Sequence, residues 1–126
     1  NLDYAHGTGH GVGYFLNVHE GPHAISKNNK VNFKEGMIVS NEPGYYENGK
    51  FGIRIENLIR VKKNKNEYLF DNLTMAPIDK SLINKNILKK NEINWLNNYH
   101  KNVFNNLKNF MNKSELFDLR QACSKI

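Results

Sequence analysis

The sequence predicts an α+β chain in which a strand-bearing region is followed by a helical tail. Three observations carry this. Residues 51–61 alternate with the period of a strand, an Asn48-Gly49 pair sits between two strand candidates, and residues 96–110 recur at helical spacing. With 126 residues and 39% hydrophobic content, the chain can fill one modest core.

The elements follow in order. Residues 1–25 read as loop and strand, with a short apolar patch at Tyr14-Phe15-Leu16, because five glycines between positions 7 and 21 would cost a helix heavily. Lys27 to Glu35 is polar and reads as a surface connection, and Met37-Ile38-Val39 as a short buried strand. Beyond it, Ile53, Ile55, Ile59 and Val61 take one face while Arg54, Glu56, Leu58 and Arg60 take the other. Asn-Gly tolerates the positive φ of a tight I′ turn, so 37–46 and 51–61 are expected to be antiparallel neighbours. Tyr68 to Thr74 is a further strand. In the tail, Leu96, Tyr99, Val103, Leu107 and Phe110 recur at steps of three and four, with Asn91 as the expected cap and Glu92 in the first turn.

A two-residue turn at Asn48-Gly49 pairs residues whose numbers add to 97. Glu42 then faces Ile55, Asn41 faces Glu56, and the two glutamates point to opposite sides. A bulge near Pro43-Gly44 would shift the register by one and unite them, and we expect that bulge.

Charge and composition exclude several classes. No run of about 18 apolar residues is present, so no membrane-spanning helix is expected. The net charge of +6 is uneven: residues 1–59 carry six acidic and five basic side chains, residues 60–126 six and thirteen. The lysines are scattered among asparagines without a stripe or interleaved aromatics, which reads as a solvated surface and not a nucleic-acid or membrane contact. The single cysteine, Cys123, excludes an internal disulfide and fits a reducing compartment. The start at Asn1-Leu2-Asp3-Tyr4, with neither initiator Met nor signal segment, suggests the interior of a longer protein.

His6, His10, His19, Glu42 and Glu56 are the chemistry-bearing residues. Histidine and carboxylate suit zinc, manganese or cobalt, and carboxylates can bridge a metal pair. Glu42 precedes Pro43-Gly44, where regular pairing must break. Glu56 shares a strand face with Arg54, which fits a plain ion pair and a supported metal ligand equally well. Competing motifs fail. His6-Gly-Thr-Gly-His10 lacks both the Glu and the helix of a zincin, and Val12 stands where a dinucleotide fingerprint needs its last Gly. Ser40 and Cys123 have no evident base to make them nucleophiles.

The strings His6-Gly-Thr-Gly-His-Gly-Val-Gly13, Phe15-Leu-Asn-Val-His-Glu-Gly-Pro22, Val39-Ser-Asn-Glu-Pro-Gly-Tyr-Tyr46 and Phe51-Gly-Ile-Arg-Ile-Glu-Asn57 resemble X-prolyl aminopeptidase of the cytosolic eukaryotic type. That family belongs to the pita-bread metallopeptidases. Trp95-Leu-Asn-Asn-Tyr-His100 resembles its C-terminal helix, so the likeness covers roughly residues 3–110. It implies that residues 1–80 are the C-terminal portion of a pita-bread catalytic domain and 81–126 a helical tail. It further implies His10, Glu42 and Glu56 as ligands of two divalent ions, with manganese before zinc or cobalt. Glu42, His19 and His6 would act as catalytic groups, with both histidines binding substrate and His19 contacting the scissile peptide. His6 would wall the proline pocket and Arg54 steady the carboxylates. The family's two aspartate ligands lie upstream of the matched region, and Asp3, Asp71, Asp79 and Asp118 do not take their place. The resemblance therefore implies a fragment, inactive alone, whose partner is the N-terminal portion of the same enzyme. A cytoplasmic homodimer acting on peptides with proline second is implied too. Prolidase-type dipeptidase activity, a non-catalytic pita-bread binding module and a basic nucleic-acid-binding tail are the alternatives.

Overall fold

The structure is a computed structural model that describes residues 2–15 and 17–126; Asn1, and Leu16 of the expected apolar patch, lie outside the described residues. The chain divides into two units, Asn1–Thr74 and Met75–Ile126.

The first unit carries seven short strands among the described residues: β1 (Gly9–His10), β2 (Ala24–Ile25), β3 (Ile38–Asn41), β4 (Gly44–Glu47), β5 (Phe51–Arg54), β6 (Asn57–Asn64) and β7 (Glu67–Asn72). They form three small antiparallel sheets, β1-β2, β3-β6-β7 and β4-β5. A bridge from Gly11 to Val39 ties the β1 segment to β3. Val39, Ile59 and Val61 are the buried apolar residues here. Alternation works as expected in β6, where Ile59 and Val61 are buried and Arg60 and Lys62 face out. Each buried aliphatic of this kind contributes roughly 1.5–3 kcal/mol. Opposite Arg60 stands Asp71, and their 3.0 Å contact, helped by Lys62, holds the Asp71 carboxyl below its ordinary range.

Two expectations need correction. Ile53 and Ile55 are 43% and 48% exposed, so the alternating run does not present one continuous buried face. It is two strands, and β5 is paired to β4 alone, with all four of its residues exposed.

The turn is the second correction. Lys50 N–H donates to Glu47 O (3.0 Å), and Gly49 has φ +71° whereas Asn48 does not take a positive φ. A glycine at the third position of such a turn is what type II geometry asks for, whereas I′ needs two positive φ values. The loop therefore holds three residues, 48–50, and pairs residues adding to 98, from Glu47↔Phe51 to Gly44↔Arg54. The same sum continues in Asn41↔Asn57 through Ile38↔Arg60. With the register unchanged across positions 42–43 and 55–56, no bulge forms near Pro43-Gly44. Loop length supplies the one-residue shift, and it sets Glu42 opposite Glu56.

The second unit contains α1 (Lys90–Leu107) and α2 (Lys113–Ala122). Leu96, Tyr99, His100 and Val103 are the buried positions of α1, an i, i+3, i+4, i+7 stripe. Tyr99, Val103 and Leu119 form a core to which Met75, Ile78, Phe104, Leu107, Met111 and Cys123 contribute. The cap of α1 is Lys89, not Asn91: the Glu92 carboxylate takes the Lys89 backbone N–H at 2.7 Å. Phe110 is exposed, because α1 ends at Leu107 and a 3-10 turn, Lys108–Phe110, carries the chain off the helical stripe. Asn112 caps α2 reciprocally with Glu115. At its other end, Lys80 Nζ donates to the carbonyls of Gln121 and Ser124 (2.8 and 2.9 Å). Burial pushes the Cys123 thiol up.

Two consecutive side chains of α1 hold the segment before it. Tyr99 Oη donates to Ala76 O (2.8 Å), and His100 Nε2 accepts from Ile78 N–H (3.1 Å). An accepting Nε2 makes His100 a neutral ring with the proton on Nδ1. Burial, with Lys80 nearby, holds its pKa below the ordinary histidine value. No described helix is long and apolar enough to cross a membrane.

Candidate metal centre

Three strands' worth of close backbone packing build the site. Gly9 lies so near β3 that a Cβ there would run into the Ser40 carbonyl, so only glycine lets this segment approach. Glu42 N–H then donates to Thr8 O (2.7 Å), and Val12 N–H to Ile38 O (3.2 Å). His23, which sequence reasoning did not single out, adds its Nε2–H to the same Ile38 carbonyl (2.8 Å) and so fastens the loop that carries His19.

The result is convergence. One ligand atom each from His10, Glu42 and Glu56 lies within 4.8 Å of the others. Glu42 is the most enclosed, its side chain 12% exposed against 40% for Glu56. His10 Nδ1 is 2.9 Å from Gly11 O. A carbonyl only accepts, so Nδ1 carries a proton and Nε2 of the neutral ring presents a lone pair. That lone pair meets Glu42 Oε1 at 3.2 Å. Such a meeting is favourable only with a cation, a proton or a metal ion, between the two atoms. One imidazole and two carboxylates are donors that a divalent transition ion accepts. The residues present fit a metal, and they are too few to enclose two.

Arg54 lies between the carboxylates, Nη1 3.8 Å from Glu42 Oε2 and Nε 3.6 Å from Glu56 Oε2. It stands half exposed, so this is a loose brace. Beneath the site, fully buried Ser40 accepts the His10 backbone N–H (2.9 Å) and donates to Glu42 Oε1 (2.8 Å). In the sequence, Ser40 was weighed as a nucleophile and as part of the motif at residues 39–46, not as a partner of Glu42. Its position two residues before Glu42 on a strand, hence on the same face, was the available signal.

The histidines outside the donor set divide. His19 is brought to His10, ring centroids 4.2 Å apart. His6 is held elsewhere: Nδ1–H donates to Gly7 O (2.7 Å), leaving Nε2 to accept from Tyr46 Oη (2.7 Å), while Tyr4 packs on its ring at 4.7 Å.

Residues 1–63 match the profile of metallopeptidase family M24, and residues 67–126 match that of the C-terminal region of peptidase_M24. The chain belongs to metallopeptidase family M24. This M24 chain is 53% identical to Xaa-Pro aminopeptidase 1 of Dictyostelium discoideum, over 81% of this chain and 18% of that protein. It is 49% identical to the probable Xaa-Pro aminopeptidase P of Tuber melanosporum, over 91% of this chain and 20% of that protein. The crystal structure of X-prolyl aminopeptidase from Caenorhabditis elegans, described as a cytosolic enzyme with a di-nuclear active site, superposes with a TM-score of 0.88 at 39% identity. That superposition covers 99% of this chain and 22% of that one. The M24 chain thus has the fold of the C-terminal part of the pita-bread domain with its helical tail, and it spans about a fifth of the length of these relatives. The C-terminal-region profile runs to residue 126, beyond the roughly 110 residues over which the motifs alone carried the likeness.

Proposed function

We propose that the enzyme carrying this chain hydrolyses the peptide bond between an N-terminal residue and a following proline, and that this chain supplies the histidine–glutamate side of its dinuclear site. The convergence of His10, Glu42 and Glu56 within 4.8 Å, in a chain of family M24, carries the proposal. His10 Nε2 and the carboxylates of Glu42 and Glu56 would be the ligand atoms, with Glu56 placed to serve both ions. Two divalent ions, manganese before zinc or cobalt, supply Lewis acidity and lower the pKa of a shared water when bound. Two aspartates from the N-terminal portion of the same enzyme complete the set. Residues 1–80 form the end of its catalytic domain and 81–126 its tail, in a cytoplasmic homodimer.

The remaining chemistry belongs to side chains. Glu42 accepts the proton of the attacking water. His19, beside His10, donates to the scissile carbonyl as negative charge develops there. Proline's nitrogen offers no N–H, so selection rests on shape. His6, its ring fixed by Gly7 O and Tyr46 Oη, forms the wall against which the pyrrolidine packs. Arg54 keeps the two carboxylates from splaying.

The test uses the full-length enzyme, a tripeptide with proline second and the same peptide with alanine second. Release of the first residue from the proline peptide alone, dependent on added manganese and abolished by a chelator, is the expected result. A folded, metal-loaded enzyme that leaves the proline tripeptide intact overturns the proposal, and one that cuts only the Xaa-Pro dipeptide makes it a prolidase.

A further inference from the structure

We infer that Ser40 is a positioning residue for the metal centre, its one hydroxyl fixing the main chain of His10 to the carboxylate of Glu42. The inference rests on the metal-site reading above and deepens it. Ser40 is fully buried, and its Oγ touches both of the first two donors: it takes the His10 backbone N–H at 2.9 Å and gives its proton to Glu42 Oε1 at 2.8 Å. A hydroxyl has one proton to give. A purely structural serine in this strand would satisfy itself on the nearest carbonyl, and His10 O is within reach at 3.5 Å. The shorter bond goes to the carboxylate, where the acceptor's charge strengthens it.

The consequence is geometric. With one lone pair of Oε1 taken by Ser40 and Oε2 turned toward Arg54, the plane of the Glu42 carboxylate is set before any cation arrives. The His10 ring is set at the same time, from its backbone by Ser40 and from Nδ1 by Gly11 O. Gly9 is what makes the arrangement reachable, since a side chain there would collide with the Ser40 carbonyl and lift His10 away. Groups that orient ligands in this way typically contribute 10–100-fold to metal affinity.

The experiment is titration of manganese into the metal-free full-length enzyme, with melting of the metal-free protein measured beside it. Ser40→Ala is expected to weaken manganese binding by about 10–100-fold, to lower kcat at subsaturating metal and to leave KM for the proline tripeptide in place. Ser40→Thr, which keeps the hydroxyl, is expected to restore the affinity. If Ser40→Ala does not fold, Ser40→Cys, similar in size but a weak donor, carries the test with the same expected loss. Unchanged affinity in a folded Ala or Cys variant overturns the role of Ser40 while leaving the metallopeptidase reading intact. A wild-type enzyme that neither binds manganese nor cleaves overturns both.

Discussion

The two units of the chain are held together by different means. Residues 75–126 look like an ordinary small helical fold: a stripe on α1 meets Leu119 of α2, both helices carry carboxylates at their starts, and Lys80 closes the end of α2. Residues 1–74 invest their order in polar contacts around three ligand atoms. Their strands are two to eight residues long, and Tyr45, Phe51, Ile53 and Ile55 stay exposed. Those exposed side chains lie in and beside the hairpin that brings Glu42 and Glu56 together. The comparison teaches that a site assembled from short strands relies on exact register, whereas a helical unit relies on apolar volume. Damage to one should leave the other's measure unmoved.

The largest expected effect strikes the register. Deleting Phe51 with the three-residue loop kept brings Glu47 opposite Gly52 and Glu42 opposite Asn57, which carries Glu56 to the opposite face. Manganese affinity of the full-length enzyme is expected to fall by about 100-fold or more, with the helical unit's hydrogen exchange unchanged; calorimetric titration that finds wild-type affinity would show that register does not govern the site. Next comes Leu119→Ala, which empties part of the helical core. A loss of about 2–5 kcal/mol in that unit is expected, read by denaturant unfolding, while manganese affinity stays put. A coupled loss of affinity would dissolve the contrast between the units.

The smallest effect is on pH. His100 has a folded pKa below its ordinary value, so the unfolded chain takes up a proton first as pH falls. Stability of the helical unit is therefore full above about pH 6.5 and declines as pH drops through that value toward the folded pKa, where the decline stops. Melting followed between about pH 5 and 7.5 should show this slope, and His100→Gln should flatten it. A slope that survives the substitution would place its origin elsewhere.

Much of this architecture was legible in sequence because it rests on local signals. The helical spacing of Leu96, Tyr99 and Val103 and the alternation of Ile59 and Val61 report burial directly. The four motifs identified the residues that the structure brings together at His10, Glu42 and Glu56. What escaped depends on quantities that single residues do not encode. Asn48-Gly49 announces a turn but not whether Lys50 belongs to it, and that one residue decides which face Glu56 occupies. Asn91 is a good cap by type, yet Glu92 reaches back to Lys89 and starts the helix earlier. Ile53 and Ile55 read as core, but a strand pattern does not say whether a second layer covers it. Ser40's role escaped because its hydroxyl was weighed as a nucleophile and not as a donor to Glu42.

The origins of the three donors along the chain also have a kinetic meaning. The hairpin from Gly44 to Arg54 and helix α1 join near neighbours and can form on the scale of roughly 0.1–10 μs. His10 reaches Glu42 only after the segment at Thr8 to Val12 has found β3, across a loop of some thirty residues whose closure entropy comes before any reward. If the proposed site holds a metal, manganese offered to the refolding full-length enzyme is expected to report on the arrival of β1 and not on the appearance of secondary structure.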